Sequence, residues 1–165
     1  MKQLYEFVRD TKEREETKDL MLLMVRIALA WIFIYHGGYT LFGWFGGGGV
    51  DKSSVFFDKV AHLHPAKLFT IIAGATELFG SIMALIGVFG RFGALTIAGD
   101  MVIAMITVTF SNGIASSAVG GGYELNLALA ALAGVVVFMG TGRISLDYAW
   151  KRMASRNNGT SSTAN

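Results

Sequence analysis

The sequence predicts an all-α integral membrane protein, a bundle of four transmembrane helices with both termini in the cytoplasm. Hydrophobic residues make up 53% of the 165 residues and charged residues only 16%, whereas a soluble domain has about 25% charged residues. A soluble chain of this size exposes too much surface to hide so many apolar side chains. The apolar residues form four segments, at about residues 20–45, 65–89, 92–110 and 123–139. Each has nearly the length, or more, that a spanning helix requires.

Charged residues at the N-terminus precede the first apolar segment. Residues 1–19 carry 11 of the 26 charged side chains, and pairs such as Lys12 with Glu16 have the spacing of ion pairs along a helix. We therefore expect a charged cytoplasmic arm or interfacial helix, followed by the four-helix domain at residues 20–150. The tail at 151–165 is polar and rich in small residues, and we expect it to be disordered.

The distribution of basic residues predicts the orientation of the bundle. Eleven of the 14 Lys and Arg lie in the N-terminal region, the turn after the second segment and the C-terminal region. Because basic residues collect on the cytoplasmic side, both termini are expected there. Within the first outer loop, residues 53–65 carry apolar side chains at helical spacing, with Ser53 or Ser54 as a candidate N-cap. This pattern predicts a short amphipathic helix on the outer face.

Composition excludes several kinds of site. The chain has no cysteine, which excludes disulfides, iron–sulfur clusters and thiolate-bound metals. His62 and His64 lie two residues apart with few carboxylates near them, so we expect no metal site. The glycine runs at 46–49 and 120–122 lack the residues of a phosphate-binding loop. The basic residues lie in flanking segments, and we expect no binding of nucleic acid.

Glu77 and Asp100 are acidic residues within the second and third apolar segments, where a charge is costly. Glu77 shares its helix face with small residues such as Gly74 and Gly80, so we expect it to point into the bundle. Asp100 lies about 12 Å from its segment's start, on a face with other polar residues. Glu77 either holds the helices together or serves in proton transfer or ligand binding.

Arg26 is the basic residue at a depth similar to that of Asp100. Its long side chain either extends to the cytoplasmic interface or forms a fixed ion pair. We expect a pair between Arg26 and Asp100, with Glu77 nearby.

His36 and Tyr39 lie in the outer half of the first segment, close enough on the helix to line one cavity. The alternative for His36 is a hydrogen-bonded packing role. Glu124 opens the fourth segment at the level of His36. It either stabilises the N-terminus of its helix or contacts His36.

Taken together, several motifs resemble the DoxX family. They are YHGGYTLFG (35–43), GATELFGSIMALIGVFGR (74–91), GDMVIAM (99–105), GGYELNL (121–127) and GTGRISLD (140–147). The resemblance covers about residues 20–150. The positions that match the family's motifs are Arg26, His36, Gly37, Glu77, Gly80, Arg91, Asp100, Glu124, Arg143 and Asp147.

The resemblance implies a small multi-pass protein of a prokaryotic inner membrane, linked to a quinone-dependent redox system. A related protein is the DoxD-like subunit of thiosulfate:quinone oxidoreductase. The partners that we expect are the lipid bilayer, from the composition, a soluble or membrane oxidoreductase subunit, from the resemblance, and a further copy of the chain. Family members often have a lysine where this chain has Thr40. The missing basic group argues against an anionic substrate such as thiosulfate.

Our preferred hypothesis is a protein that binds quinone, or a similar lipid-soluble molecule, between its helices. Glu77, Asp100 and Arg26 would exchange protons on the cytoplasmic side, with His36 and Tyr39 at the outer mouth. The sequence carries no electron carrier of its own, so electrons would come from a partner. One alternative is a structural or assembly subunit that docks a soluble oxidoreductase. Another is a small transporter, against which the lack of inverted repeats argues.

Overall fold

The computed structural model describes the backbone of residues 2–115 and 121–161, and side chains within 10–115 and 121–156. These residues form an all-α structure. Its helices are α1 (Lys2–Phe42), α2 (Gly49–Lys59), α3 (Ala66–Ile86), α4 (Gly90–Ala104), α5 (Glu124–Met139) and α6 (Leu146–Ser161). A short 3₁₀ turn (Trp44–Gly46) follows α1, and a π turn (Met105–Thr109) and a 3₁₀ turn (Phe110–Asn112) extend α4.

Three helical segments are long and apolar enough to cross a membrane: Asp10–Phe42, Ala66–Ile86 and Gly90–Asn112. The fourth apolar helix, α5, has 16 residues, or about 24 Å of helix. It is thus shorter than the roughly 30 Å of a bilayer's hydrocarbon core. The all-α prediction is confirmed, with three candidate spans and one shorter apolar helix.

The four apolar helices pack in chain order, α1 against α3, α3 against α4 and α4 against α5, and α1 also contacts α5. The short helix α2 packs on α3. Close approach of α1 to α3 depends on Gly37, because a Cβ there would lie 2.6 Å from the backbone nitrogen of Leu78 and 2.7 Å from the carbonyl oxygen of Gly74. On α3, Gly80 similarly faces α4, where a Cβ would lie 2.6 Å from Oγ1 of Thr96. The small residues predicted to share the face of Glu77 are indeed at helix contacts.

A buried apolar core joins four of the helices. It consists of Leu29, Phe33, Ala84, Ala94, Ile97, Met101, Leu129, Ala133 and Val136. Large apolar side chains also cover the outside of the bundle, and Trp31 and Phe138 are 82% and 84% exposed. In a bilayer these outer side chains contact lipid instead of water, which explains why the chain leaves so much apolar surface outside its core.

The charged N-terminal region continues the first span as one helix, since α1 runs without interruption from Lys2 to Phe42. The predicted ion pair between Lys12 and Glu16 is present, with 3.8 Å between Nζ and Oε1.

The short helix predicted in the first loop is present as α2, but its boundaries were predicted wrongly. It begins at Gly49, so Ser53 and Ser54 lie inside the helix and do not cap it. The Oγ of Ser54 donates to the carbonyl oxygen of Asp51 instead. Asp51 in the first turn and Lys59 in the last turn complement the helix dipole, and this signal marks the true ends better than the serines do.

The C-terminal region is also different from expectation. Residues 151–161, which we expected to be disordered, belong to α6. The polar composition of this region concealed a helical repeat of apolar residues, Leu146, Trp150 and Met153, at the helix's beginning. Residues 162–165 of the predicted tail lie outside the described residues.

Candidate functional site

A cavity of about 840 Å³ lies among α1, α2, α3 and α4. Its walls combine apolar side chains, such as Phe56 of α2 and Phe69 of α3, with a set of polar ones. The principal polar side chains are His36, Tyr39, Lys52, Thr76, Glu77 and Asp100. Few polar groups in a mostly apolar cleft are typical of a site for a small molecule.

Glu77 and Asp100 both line this cavity, one from the middle of α3 and the other from the middle of α4. Both are half-buried, and their carboxyl groups are close enough to interact electrostatically. Neither carboxyl group has a hydrogen bond or an ion pair with any residue whose side chain the structure describes. The prediction that both acids point into the bundle is confirmed, and both face open space there.

Two hydroxyl groups of the cavity wall, those of Thr96 and Thr107, donate hydrogen bonds to the backbone of their own helical segment. Oγ1 of Thr96 donates to the carbonyl oxygen of Gly93 at 2.8 Å, and Oγ1 of Thr107 donates to that of Ile103 at 2.8 Å. Because these hydroxyl protons are used within α4, the carboxyl groups remain the principal groups available to exchange protons in this part of the cavity.

His36 and Tyr39 line the same cavity, as their spacing predicted. An aromatic cluster surrounds them at the end of α1. The ring of Tyr35 meets His36 edge-on at 5.5 Å between centroids and stacks on Phe45 at 4.9 Å. The cluster fixes the end of α1 where the chain turns towards α2.

Helix α2 contributes Lys52 to the cavity, a residue that the sequence analysis did not select. Starting the predicted helix at residue 53 left Lys52 outside it, whereas the true start at Gly49 places Lys52 and Phe56 one turn apart on one face. Thr40 also lines the cavity. A basic group is therefore present despite Thr40, and the sequence-based objection to an anionic ligand does not hold.

An ion pair attaches α2 to the first turn of α3. Nζ of Lys67 lies 2.7 Å from Oδ1 of Asp51. The hydrogen bond from Lys67, together with its charge, holds the pKa of Asp51 below its ordinary value. The pair lies on the surface, beside the helix that carries Lys52.

Arg26 does not belong to the cavity, and the predicted ion pair with Asp100 is wrong. Its side chain is 1% exposed and donates to backbone carbonyl oxygens. The acceptors are Ala84, Thr141 and Ile144, each at 2.7 Å, and Leu85. The last carbonyl groups of a helix lack partners within it, and Arg26 satisfies two of them at the end of α3. It does not pair with an acid in the cavity.

Asp147 lies close to Arg26 and joins the start of α6 to the start of α4. Its carboxylate accepts hydrogen bonds from the backbone nitrogens of Phe89 and Gly90, both at 3.1 Å. Its own backbone nitrogen donates to the carbonyl oxygen of Gly87 at 2.8 Å.

Arg143 is held by acids of α1. Its backbone nitrogen donates to Oδ1 of Asp19 at 2.9 Å, and its guanidinium lies 2.9 Å from Glu15. We call Asp19, Arg26, Arg143 and Asp147 the end cluster. Six of the motif residues thus form two groups: His36, Glu77 and Asp100 at the cavity, and Arg26, Arg143 and Asp147 in the end cluster.

Glu124 lies apart from both groups. It is exposed in the first turn of α5 and does not line the cavity. Among the described contacts, none joins it to His36, so the expected contact between them is not formed.

His62 and His64 lie in the loop after α2. Across residues 10–115 and 121–156, no group of three or more His, Asp or Glu side chains is arranged to hold a metal ion. His64 instead lies 3.2 Å from the carboxylate of Asp58.

Comparison with known families gives a match to DoxX over residues 21–110. The chain belongs to the DoxX family. The matched region extends from α1 to the end of the π turn and includes every residue that lines the cavity. No curated protein and no solved structure gives a significant match to the chain. With its apolar helices, this DoxX-family chain is a multi-pass membrane protein.

Proposed function

We propose that this DoxX-family protein binds quinone, or a similar lipid-soluble molecule, as part of a membrane redox system. The observation that carries the proposal is the pair of carboxyl groups, Glu77 and Asp100, which face a cavity with mostly apolar walls and have no hydrogen bond or ion pair with any residue whose side chain the structure describes. A cavity of about 840 Å³ is within the range of small-molecule sites.

In the proposed chemistry, protons and electrons reach the quinone from different sources. Two-electron reduction of a quinone consumes two protons, and positioned carboxyl groups are suitable donors. Glu77 and Asp100 would exchange those protons, while His36 and Tyr39 contact the polar head of the ligand. Electrons would come from an oxidoreductase partner. Arg26 has no role at the ligand in this scheme, because its side chain is committed to carbonyl groups at the other end of α3.

The membrane arrangement is part of the proposal. We infer that the chain crosses the inner membrane of a prokaryote four times, with both termini in the cytoplasm. The bias of basic residues supports this orientation. The short helix α5 would cross by local thinning of the bilayer or with help from flanking residues. The end cluster then lies at the cytoplasmic end and α2 at the outer face.

Binding of a quinone analogue to the purified full chain in nanodiscs tests the proposal. We expect saturable binding by the natural chain, with an affinity that varies with pH. In the double variant Glu77→Gln/Asp100→Asn, amides of similar shape replace the two carboxyl groups, so the affinity should depend less on pH than it does in the natural chain. Glu124→Gln is the matched control, because it removes an exposed carboxylate outside the cavity.

Two results would overturn the proposal. One is failure of the natural chain to bind any quinone analogue. The other is an affinity that depends on pH in the same way in the double variant and in the natural chain, which would show that the two carboxyl groups do not act in binding.

A second function, as an assembly subunit that docks a soluble oxidoreductase, is supported by the exposed charged part of α1. Residues 10–18 are mostly exposed and extend beyond the apolar part of the helix. Co-purification of the partner distinguishes the two functions. Docking predicts loss of the partner when the charges of residues 10–18 are replaced, and no effect of Glu77→Gln. Ligand binding in the cavity predicts the reverse.

A further inference from the structure

The exposed helix α6 has two different faces. Leu146, Trp150 and Met153 fall within about 60° of one another around the helix. They are 53%, 74% and 59% exposed. No described part of the bundle covers this apolar strip, since all three side chains are more than half exposed.

The other side of α6 is basic. Lys151, Arg152 and Arg156 are all exposed. The acidic residue of the helix, Asp147, is engaged with the backbone nitrogens of Phe89 and Gly90. The exposed surface of the helix therefore combines an apolar strip with positive charge, which is the composition of helices that lie in a membrane interface.

The beginning of α6 is fixed at the level of the membrane surface. Three hydrogen bonds attach the start of α6 to the turn between α3 and α4. The carboxylate of Asp147 accepts two of them, and its backbone nitrogen donates the third to Gly87. That turn joins two candidate spans. A turn between two spanning helices must lie where its backbone meets water or head groups, so α6 starts at that depth.

We propose that α6 lies along the membrane with its apolar strip in the head-group region, held there by anionic phospholipids. Two surfaces could cover this apolar strip, a second copy of the chain or a lipid leaflet, and the charge of α6 distinguishes between them. A second copy of the chain would bring the same three cations to the contact, whereas the phosphates of an anionic leaflet complement them. This inference goes beyond the ligand in the cavity and is independent of it.

Single-cysteine spin labelling of the full chain tests this directly, because the chain has no native cysteine. Met153→Cys reports the apolar strip, and Ser155→Cys reports the opposite side of the same turn. In nanodiscs that contain phosphatidylglycerol, we expect the label at 153 to be about tenfold less accessible than that at 155 to a water-soluble relaxation agent. In nanodiscs of phosphatidylcholine alone, the difference should shrink.

Charge variants separate lipid attraction from simple burial. Replacing Lys151, Arg152 and Arg156 with Gln should weaken attachment on the order of 100-fold, since each basic residue contributes to attraction by an anionic surface. The label at 153 should then become accessible even in anionic nanodiscs. The matched control, Lys151→Arg/Arg152→Lys/Arg156→Lys, keeps the charge and should retain protection.

Three results would overturn the inference. Equal accessibility at 153 and 155 in anionic nanodiscs would place α6 in water. Protection at 153 that persists in the Gln variant and in neutral lipid would exclude anionic attraction. Dipolar coupling between labels on two chains, with protection independent of lipid, would instead assign the strip to a second copy.

Discussion

Arg26 is the residue whose role differs most from its sequence-based prediction. Its depth within an apolar segment was evident, but its partners are carbonyl oxygens of residues 58 to 118 positions away along the chain. Any residue supplies a carbonyl group, so no sequence pattern marks these partners. An acid at similar depth, Asp100, was the visible candidate, and it proved to be a residue of the cavity.

Replacement of Arg26 should destabilise the bundle. Arg26→Ala leaves buried carbonyl groups at the end of α3 and in the 141–144 turn without a donor, and we expect a loss of about 3–5 kcal/mol. Arg26→Lys keeps the charge but not the fork of donors, so its loss should be smaller. Thermal unfolding of the purified variants measures both. An Arg26→Ala variant as stable as the natural chain would contradict this role.

The inward orientation of Glu77 and Asp100 was predicted correctly because helical periodicity is local. Small and polar residues at helical spacing mark the face that turns inward, whatever the distant partner is. The same rule found His36 and Tyr39. Lys52 was missed because the start of α2 was placed too late, at residue 53 instead of Gly49.

At the scale of elements, close contact between α1 and α3 requires the absence of a side chain at Gly37. In Gly37→Ala, the Cβ would lie 2.6 Å from a backbone nitrogen of α3, and backbone cannot rotate away. We expect a loss of about 1–3 kcal/mol from overpacking.

Gly134→Ala is the matched control for that substitution. Gly134 lies inside α5, and a Cβ there meets nothing within 4 Å. Better helix propensity should therefore stabilise this variant by about 0.5–1 kcal/mol. Chemical unfolding in one detergent compares the two. Equal effects of the two substitutions would contradict the close packing of α1 on α3.

The attachment of α2 should depend on pH. The pKa of Asp51 is lowered by its hydrogen bond with Lys67. The pair is therefore complete above the ordinary pKa of a carboxyl group and is lost as pH falls through the lowered value. Because both groups are exposed, the effect should be small.

Hydrogen exchange in α2 measures this dependence. After correction for intrinsic rates, protection should fall about twofold between pH 6 and pH 2. In Asp51→Asn, the lower protection should be present at every pH between 6 and 2, without the twofold fall. A step of equal size in that variant would show that another group is responsible.

For the whole molecule, local patterns predicted the apolar helices. They did not predict which polar residues lie at the cavity and which lie in the end cluster. Breaks in hydropathy located the apolar segments, and the basic residues predicted an orientation. The separation of Arg26 from Glu77 depends on contacts between distant parts of the chain, such as Arg26 with Thr141. The helix α6 was missed for a different reason, since its polar composition outweighed its apolar repeat.

Photo-cross-linking with an azidoquinone tests the central claim, that the cavity lined by Glu77 and Asp100 holds a lipid-soluble ligand. Adducts are mapped by mass spectrometry on the purified full chain. We expect them in the segments at 36–40, 69–77 and 99–108, which line the cavity, and excess unlabelled quinone should prevent them. Adducts confined to lipid-facing residues such as Trp31 and Phe138, and insensitive to competitor, would contradict the claim.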